Sequence, residues 1–230
     1  MTREVVYGRN PVRELVSAGR RRVHDVWALE DLAREEWVAA LDPRVATKAQ
    51  LGRAADTGDH QGIVAFADEY PYVEVGELLD APGPVLCLDR IQDPRNLGAI
   101  ARVVDALGAA GIVVARRGSP GVTGAVCKVS AGAVEHVLVA QVENVASFLH
   151  DAKGPDRWVF GADSADGDDY REVEWDPGTV IVLGAEGEGL RPRVRSMCDR
   201  LVRIPMRGRV DSLNLSVAAA LLVAQATRLR

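Results

Sequence analysis

Residues 85–115 read VLCLDRIQDPRNLGAIARVVDALGAAGIVVA, and this stretch decides the fold class. It holds two short apolar runs, VLCLD (85–89) and GIVVA (111–115), with a helical pattern over Leu97–Leu107 between them. A strand that is apolar at every position belongs to a sheet covered on both faces, and such sheets are mostly parallel. The stretch therefore predicts a strand–helix–strand unit of a parallel α/β sheet.

The same alternation continues toward the C-terminus and predicts a doubly wound α/β domain. Further strands are predicted at HVLVAQ (136–141), WVFGA (158–162), VIVLGA (180–185) and LVRIP (201–205). Further helices are predicted at Gly124–Ala131, Val145–Ala152, Leu190–Met197 and Leu213–Arg228. The last helix is apolar nearly all round, so we expect it to be buried in the core or in a subunit interface.

The N-terminal part predicts a separate small α/β domain. We place this domain at 1–68, a Pro- and Gly-containing linker at 69–84, and the main domain at 85–230. Within the small domain we expect strands at Val5–Tyr7, Val23–Leu29 and Gln61–Ala67, an extended piece at Val45, and helices at Pro11–Ala18, Asp31–Leu41 and Thr47–Asp56, the last with Thr47 as N-cap.

Composition narrows the class of protein. An apolar content of 47% is ample for a core, no stretch of 18 apolar residues predicts a membrane span, and the first residues show no signal-peptide core, so we expect a cytoplasmic protein. The three cysteines, Cys87, Cys127 and Cys198, are far apart and are expected to be buried thiols. The four histidines show no metal-ligand spacing, so we predict no metal.

Charge is unevenly distributed. The net charge of −5 argues against indiscriminate nucleic-acid binding, but residues 1–24 hold six Arg against two Glu, and residues 190–210 hold seven Arg against one Asp. Residues 163–176 carry seven acids and one Arg. Arginine suits bidentate contacts with phosphate, so we expect at least one Arg-rich segment to touch RNA or DNA.

Three polar clusters stand where strand-like runs end or helices begin. They are DPRNLGAIAR (93–102), GAEGEGL (184–190) and DSLNLS (211–216). Ligands of α/β sheets bind at the carboxyl ends of the strands, so these clusters favour an enzyme over a scaffold. No GxGxxG fingerprint follows the first strand and no Walker loop occurs, which disfavours a nucleotide-dependent oxidoreductase.

Taken singly, each cluster also has an ordinary structural interpretation. Asn96 and Ser212 are plausible N-caps of the helices that follow them. Glu186 lies near a helix start, where the helix dipole favours a carboxylate. Arg102 can be a solvent-facing residue of its helix. Capping explains Asn214 less well, because it would fall inside the first turn and Asn is a poor helix former.

The order and spacing of the clusters resemble the three-motif signature of the SpoU/TrmH family. The resemblance is carried by Asn96 with Arg102, by GAEGEGL after a strand, and by IPM and SLNLSVA near the C-terminus. It extends to the N-terminal part, where VVYGRNPVRELV and HQGIVA resemble a substrate-binding domain similar to ribosomal protein L30e. Nearly the whole chain is covered, although the middle of the N-terminal domain looks shorter than in many relatives.

The resemblance implies S-adenosylmethionine-dependent methylation of an RNA ribose 2′-hydroxyl by a homodimer. It also implies a mostly parallel sheet with a C-terminal trefoil knot. The residues it assigns to the methyl donor are Leu183, Gly184, Ile204, Met206 and Leu213. Those it assigns to catalysis are Arg102, Glu186, Asn96, Ser212 and Asn214, and those expected to grip RNA are Arg9 and Asn10. Because a guanidinium rarely gives up its proton, we expect Arg102 to position the ribose rather than act as a literal base.

Within this family the RNA target stays open. A guanosine of 23S rRNA fits the N-terminal domain best. The alternatives are a tRNA methyltransferase or a resistance-type enzyme acting on rRNA. A different class is an RNA-binding or ribosome-assembly protein that no longer methylates, which the presence of all five polar positions disfavours.

Overall fold

The computed structural model describes residues 3–176, 178–185, 187–209 and 211–227. The strands are β1 (Glu4–Tyr7), β2 (Val23–Ala28), β3 (Arg44–Val45), β4 (Ile63–Ala67), β5 (Val85–Leu88), β6 (Gly111–Ala115), β7 (Leu138–Val142), β8 (Val159–Ala162), β9 (Asp168–Asp169), β10 (Val180–Leu183) and β11 (Arg200–Arg203). The helices are α1 (Arg9–Ala18), α2 (Glu30–Ala33), α3 (Glu36–Ala39), α4 (Lys48–Ala55), α5 (Val75–Asp80), α6 (Pro94–Leu107), α7 (Gly124–Val129), α8 (Val145–Ala152), α9 (Pro192–Arg195) and α10 (Leu215–Ala226), with a 3₁₀ turn at Ala133–His136.

The chain forms two compact units, each with its own sheet. The first unit contains the chain up to Pro71 together with Val122–His136, and the second contains Tyr72–Gly121 and the chain from Val137 onward. The segment Val122–His136 thus packs with the N-terminal unit, although its sequence pattern places it inside the domain 85–230.

The second unit is built on a seven-stranded sheet in the order β7-β6-β5-β10-β8-β11-β9. Neighbouring strands are parallel throughout. The residues of β5, β6 and β10 are buried at every position, as expected for a sheet covered on both faces. The predicted α/β fold with a large parallel sheet is confirmed, because the continuous apolar runs of these strands report burial on both sides.

The first unit holds a four-stranded mixed sheet in the order β1-β4-β2-β3. Helix α1 ends at Gly19, which adopts the left-handed conformation with φ 61°, and α4 begins at Thr47 with the predicted N-cap. The single helix expected over Asp31–Leu41 is instead two short helices, α2 and α3. The chain is extended at Glu35, with ψ 134°, and this residue interrupts the helical backbone between them.

A buried ion pair within the first unit joins Arg21, which follows α1, to Glu135 of the segment Val122–His136. The Arg21 guanidinium pairs with the Glu135 carboxylate, donating from Nε to Oε2 over 3.0 Å, and it also donates to Glu4 Oε2 over 2.7 Å. Both Arg21 and Glu135 side chains are 1% exposed. Burial alone would lower the pKa of Arg21, but the hydrogen bond and charge of Glu135 outweigh it and hold that pKa above its usual value.

The C-terminal helix α10 packs against α6 in the second unit. It buries Leu215, Ala219 and Leu222, while Val217 and Leu221 stay 47% and 36% exposed. Arg228, the last residue of the predicted helix, lies outside the described residues. None of the helices within the described part of the chain has the length and hydropathy that crossing a membrane requires.

Replacement of Glu135 tests the buried pair. We expect Glu135→Gln to lower the free energy of unfolding by about 3 kcal/mol, because it leaves the Arg21 charge buried with less compensation. Urea unfolding followed by circular dichroism measures this. The control is Glu14→Gln, which removes the partner of His136 at a site where both side chains are about one-third exposed and should cost at most about 1 kcal/mol. Equal unfolding midpoints for the two variants would contradict the prediction.

Candidate functional site

A cavity of about 360 Å³ opens at the carboxyl edge of the parallel sheet in the second unit. Its walls come from the loops that follow β8, β10 and β11, and from the first turns of α10. This is the edge where α/β sheets bind ligands, and the volume suits a small organic molecule. The lining residues are 162–164, 183–185, 187–190, 202, 204, 206, 211–213, 215, 218 and 222.

The five residues that sequence analysis assigns to the methyl donor share this one cavity. They are Leu183, Gly184, Ile204, Met206 and Leu213. Gly184 has a specific steric role, since a Cβ built on it would overlap the backbone carbonyl carbon of Gly189. The loop after β10 can therefore fold back on itself only when residue 184 has no side chain. Gly189 N donates to Ala185 O over 2.9 Å and closes that fold.

Three carboxylates line the cavity among the described residues, and sequence analysis assigned a role to none of them. Glu188 lies in the wall formed by the loop after β10, Asp163 follows β8, and Asp211 directly precedes Ser212. Asp163 accepts from the backbone N–H groups of Ala165 and Asp166 over 2.9 and 3.1 Å, and from Arg195 Nε over 3.2 Å. Burial alone would raise the pKa of Asp163, but these hydrogen bonds outweigh it and lower the pKa, so the carboxylate is ionised. Asp163 could have been identified from the sequence, because it directly follows the predicted strand 158–162 and ligands bind at the carboxyl ends of such strands.

The helix caps differ from the sequence prediction. Asp93, not Asn96, caps α6 and accepts from Arg95 N over 2.8 Å. Asn214, not Ser212, caps α10 and accepts from Ser216 N over 2.9 Å. In each motif several residues are competent caps, and the backbone conformation selects a different one from the residue we predicted.

These caps leave Asn96 and Ser212 in other surroundings. Asn96 lies buried in the first turn of α6, where its Oδ1 accepts from Asn214 Nδ2 over 3.3 Å. Ser212 is exposed and lines the cavity. The structure thus brings Asn96 and Asn214 together and places Ser212 beside the predicted donor residues.

Arg102 is apart from this group. It lies on the exposed side of α6 and is not among the residues that line the cavity. Within the described residues its guanidinium makes no hydrogen bond or ion pair. Glu186, its predicted partner, lies outside the described residues.

Arg9 and Asn10, the predicted RNA contacts, belong to the first unit and are exposed at the start of α1. The Arg9 side chain pairs with Glu35, and its backbone N donates to Gln61 Oε1 over 3.2 Å. Ion pairs this exposed contribute little stability, so the pairing leaves Arg9 available to exchange Glu35 for a phosphate.

The Arg-rich segment 190–210 makes many contacts within its own unit. Arg191 binds Asp89, and Arg195 binds Asp163 and Asp166. Arg203 Nε donates to Gly167 O over 3.1 Å. Two of the seven arginines in this segment, Arg191 and Arg195, therefore neutralise acids of the chain itself, including two acids of the segment 163–176. Within this segment, the exposed guanidinium groups of Arg193, Arg207 and Arg209 make no hydrogen bond, ion pair or ring contact with another described residue.

The cysteines are free thiols. Cys87 and Cys127 are buried and Cys198 is half-buried, and burial raises the pKa of each, that of Cys198 to about 12. They are therefore protonated and poor nucleophiles. The described residues hold no group of three or more His, Cys, Asp or Glu side chains placed to hold a metal ion, and the absence of a metal stays a prediction.

Sequence comparison connects these features to known proteins. Residues 83–224 match the SpoU rRNA methylase family, and residues 5–73 match the RNA 2′-O ribose methyltransferase substrate-binding family. A similar curated relative is YacO of Bacillus subtilis, named as a TrmH family tRNA/rRNA methyltransferase. It is 36% identical over 244 residues, which cover 99% of this chain and 96% of the relative.

Solved structures agree with the sequence relatives. The chain superposes on the SpoU methyltransferase AviRb of Streptomyces viridochromogenes in complex with S-adenosylmethionine with a TM-score of 0.84, at 23% identity, covering 97% of this chain and 89% of AviRb. It superposes on an S-adenosylmethionine-bound rRNA methyltransferase of Sinorhizobium meliloti with a TM-score of 0.81, at 25% identity, covering 98% and 87% of the two chains. The chain belongs to the SpoU/TrmH family of RNA methyltransferases, whose methyl donor is S-adenosylmethionine.

Proposed function

We propose that the cavity at the sheet edge holds S-adenosylmethionine, and that the enzyme methylates a ribose 2′-hydroxyl, with a guanosine of 23S rRNA as the favoured target. The observation that carries the proposal is the convergence of Leu183, Gly184, Ile204, Met206 and Leu213 on a single cavity. These residues come from three separate segments of the chain, and the sequence motifs alone single them out.

The cavity fits the donor in size, surface and charge. Apolar side chains such as Leu183 and Ile204 can cover the adenine and the methionine chain, while the glycine-rich loop allows close backbone approach. S-adenosylmethionine carries a sulfonium, an ammonium and a carboxylate, and is therefore a net cation. The carboxylate of Asp211, which lines the cavity and makes no ion pair with another described residue, complements that charge.

When bound, the donor supplies an electrophilic methyl group on its sulfonium. The chain must bring a ribose oxygen into line with it and polarise the hydroxyl, since a 2′-hydroxyl is a poor nucleophile. Arg102 is our candidate for this task, through charge-assisted hydrogen bonds to the ribose and its phosphate. Ser212 and Glu186 are proposed to orient the ribose, while Asn96 and Asn214 hold the helix starts around it.

A second copy of the chain is proposed to complete the site. Arg102 does not line the cavity of its own chain, and α10 presents Val217 and Leu221 to solvent one helical turn apart. Exposed apolar side chains in such a row favour burial against another protein surface. A two-fold dimer through this face is the arrangement we propose. The knotted threading and the cytoplasmic location implied by the sequence stay predictions.

The RNA side of the proposal rests on the substrate-binding family match of the first unit and on exposed arginines. Arg9 and Asn10 are proposed to grip a structured rRNA loop, because sequence-specific recognition of RNA usually targets unpaired nucleotides. Arg207 is the residue after Met206, which lines the proposed donor cavity. We therefore propose that the Arg207 side chain contacts an RNA phosphate near the donor. A tRNA target is the alternative.

Mass-spectrometric mapping of ribose methylation in RNA from cells with and without the gene tests the target. We expect one guanosine of 23S rRNA to lose its methyl group. Loss confined to tRNA would select the alternative, and unchanged methylation of both RNAs would contradict the function.

Gly184→Ala tests the donor cavity. We expect the affinity for S-adenosylmethionine, measured by calorimetry, to fall by at least about tenfold, equivalent to 1.4 kcal/mol, because the new Cβ forces the loop away from Gly189. The control is Gly76→Ala, which replaces a helical glycine with no atom within 4 Å of the new Cβ. Unchanged affinity in Gly184→Ala would place the donor elsewhere.

Arg102→Ala tests the catalytic assignment. We expect transfer of labelled methyl groups to RNA to fall by about 100-fold or more, with circular dichroism and donor affinity unchanged, because the side chain is exposed and away from the cavity. Arg171→Ala serves as the control, since it removes an exposed arginine that pairs with Asp169. Normal turnover of Arg102→Ala would remove this residue from the mechanism.

The double variant Val217→Glu/Leu221→Glu tests the dimer. We expect light scattering to give the mass of a dimer for the wild type and of a monomer for the variant, because carboxylates in a desolvated interface are costly. Methylation should fall with the dimer fraction. Val45→Glu, at a 58% exposed apolar position of the first unit, should stay dimeric. A wild type that is monomeric at micromolar concentration would refute the arrangement.

A further inference from the structure

Two Arg–carboxylate pairs join residues 89 and 90, which follow β5, to the glycine-rich loop 184–191. In one pair the acid follows β5 and the arginine belongs to the loop, and in the other pair these places are exchanged. In the first pair, Asp89 accepts from Arg191 Nη2 over 2.6 Å, from Nε over 2.9 Å and from the backbone N over 3.3 Å. In the second pair, Arg90 Nη2 donates to Glu188 Oε2 over 2.8 Å. The strand end thus contributes one acid and one base, and the loop contributes their counterparts.

The backbone at Arg90 adopts an unusual conformation. Asp89 and Arg90 follow β5 directly and lie outside the strand. Arg90 has φ 59°, in the left-handed region that non-glycine residues rarely occupy. A residue held there indicates that its surroundings impose the conformation.

The loop needs such support because of its composition. Gly187 and Gly189 have φ of 77° and 66°, and glycines give a segment many alternative conformations. Across the loop, Gly189 N donates to Ala185 O, and these two residues form an isolated antiparallel bridge. Residues 184, 185 and 187–190 line the cavity, so whatever fixes this loop also fixes one wall of the cavity.

The two pairs differ in burial, and this separates their roles. Asp89 is 1% exposed, so its pairing with Arg191 belongs to the folding of the sheet edge. The side chains of Arg90 and Glu188 are 35% and 68% exposed, and pairs of this kind contribute little to the stability of the fold. Their effect is instead on the conformation of the loop.

We propose that Arg90 is a positioning residue for the methyl donor, acting through Glu188 to hold the glycine-rich loop in its binding shape before the donor arrives. The proposal rests on the donor site described under Proposed function. Pre-organising a loop raises affinity by removing the ordering cost from the binding step. The pair therefore affects donor affinity much more than turnover or stability.

The test measures S-adenosylmethionine binding to the full chain by calorimetry. We expect Arg90→Ala to raise the Kd about fivefold, as the loss of one ordered contact does, with the melting temperature within about 2 °C of wild type and kcat at saturating donor within about twofold. Arg90→Lys should recover most of the affinity, because a point charge still reaches Glu188. The matched control is Arg116→Ala, which breaks the exposed Arg116–Glu143 pair after the neighbouring strand β6.

A double-mutant cycle with Glu188→Gln completes the test, because Glu188 itself lines the cavity. If the two residues act as a pair, the double variant binds no more weakly than Glu188→Gln alone. Additive losses, or an unchanged Kd in Arg90→Ala, overturn the positioning role. Gly184→Ala separates this failure from a wrong donor site: if Gly184→Ala loses the donor while Arg90→Ala keeps it, the site stands and the pair has no role in binding.

Discussion

The parallel register of the central strands is the constraint on which the site depends. Val182 of β10 pairs with Cys87 of β5 on one side and with Gly161 of β8 on the other, and Val202 of β11 pairs with Ala162. Because these strands are short and run in one direction, their carboxyl ends meet at the same edge. Segments that are far apart in sequence therefore meet around one cavity, and the loop after the central strand β10 forms its middle wall.

Arginine has two uses in this chain that composition cannot distinguish. Arg21 and Arg191 compensate buried carboxylates, and Arg195 ties down the acidic loop beside the cavity. Others, such as Arg207 and Arg209, are exposed. The acidic segment 163–176 and the basic segment 190–210 partly neutralise each other, which reduces the RNA-binding surface below what a count of arginines indicates. Local charge along the sequence is therefore a poor guide to the field that a nucleic acid meets.

The strands of the large sheet were the part of the fold that the sequence predicted best. Continuous apolar runs located the strands of the large sheet, and the motif spacing picked out five residues that line one cavity. Long-range pairing was not accessible: Glu135 belongs with the first unit because Arg21, 114 residues earlier, compensates its charge. The predicted helix caps were wrong for a local reason. Asp93 and Asn96 are both competent N-caps, and only the backbone conformation determines which of them caps the helix.

The Asn214–Asn96 contact connects the start of α10, beside the cavity, to the helix α6 that carries Arg102. Asn214 Oδ1 accepts from Ser216 N while its Nδ2 donates to Asn96 Oδ1, so both halves of this amide already serve the fold. The first turns of α6 and α10 are held together by a pair 118 residues apart in sequence. We therefore propose that these two residues act through the geometry they impose on both helix starts, and that the exposed Ser212 and Arg102 contact the substrate.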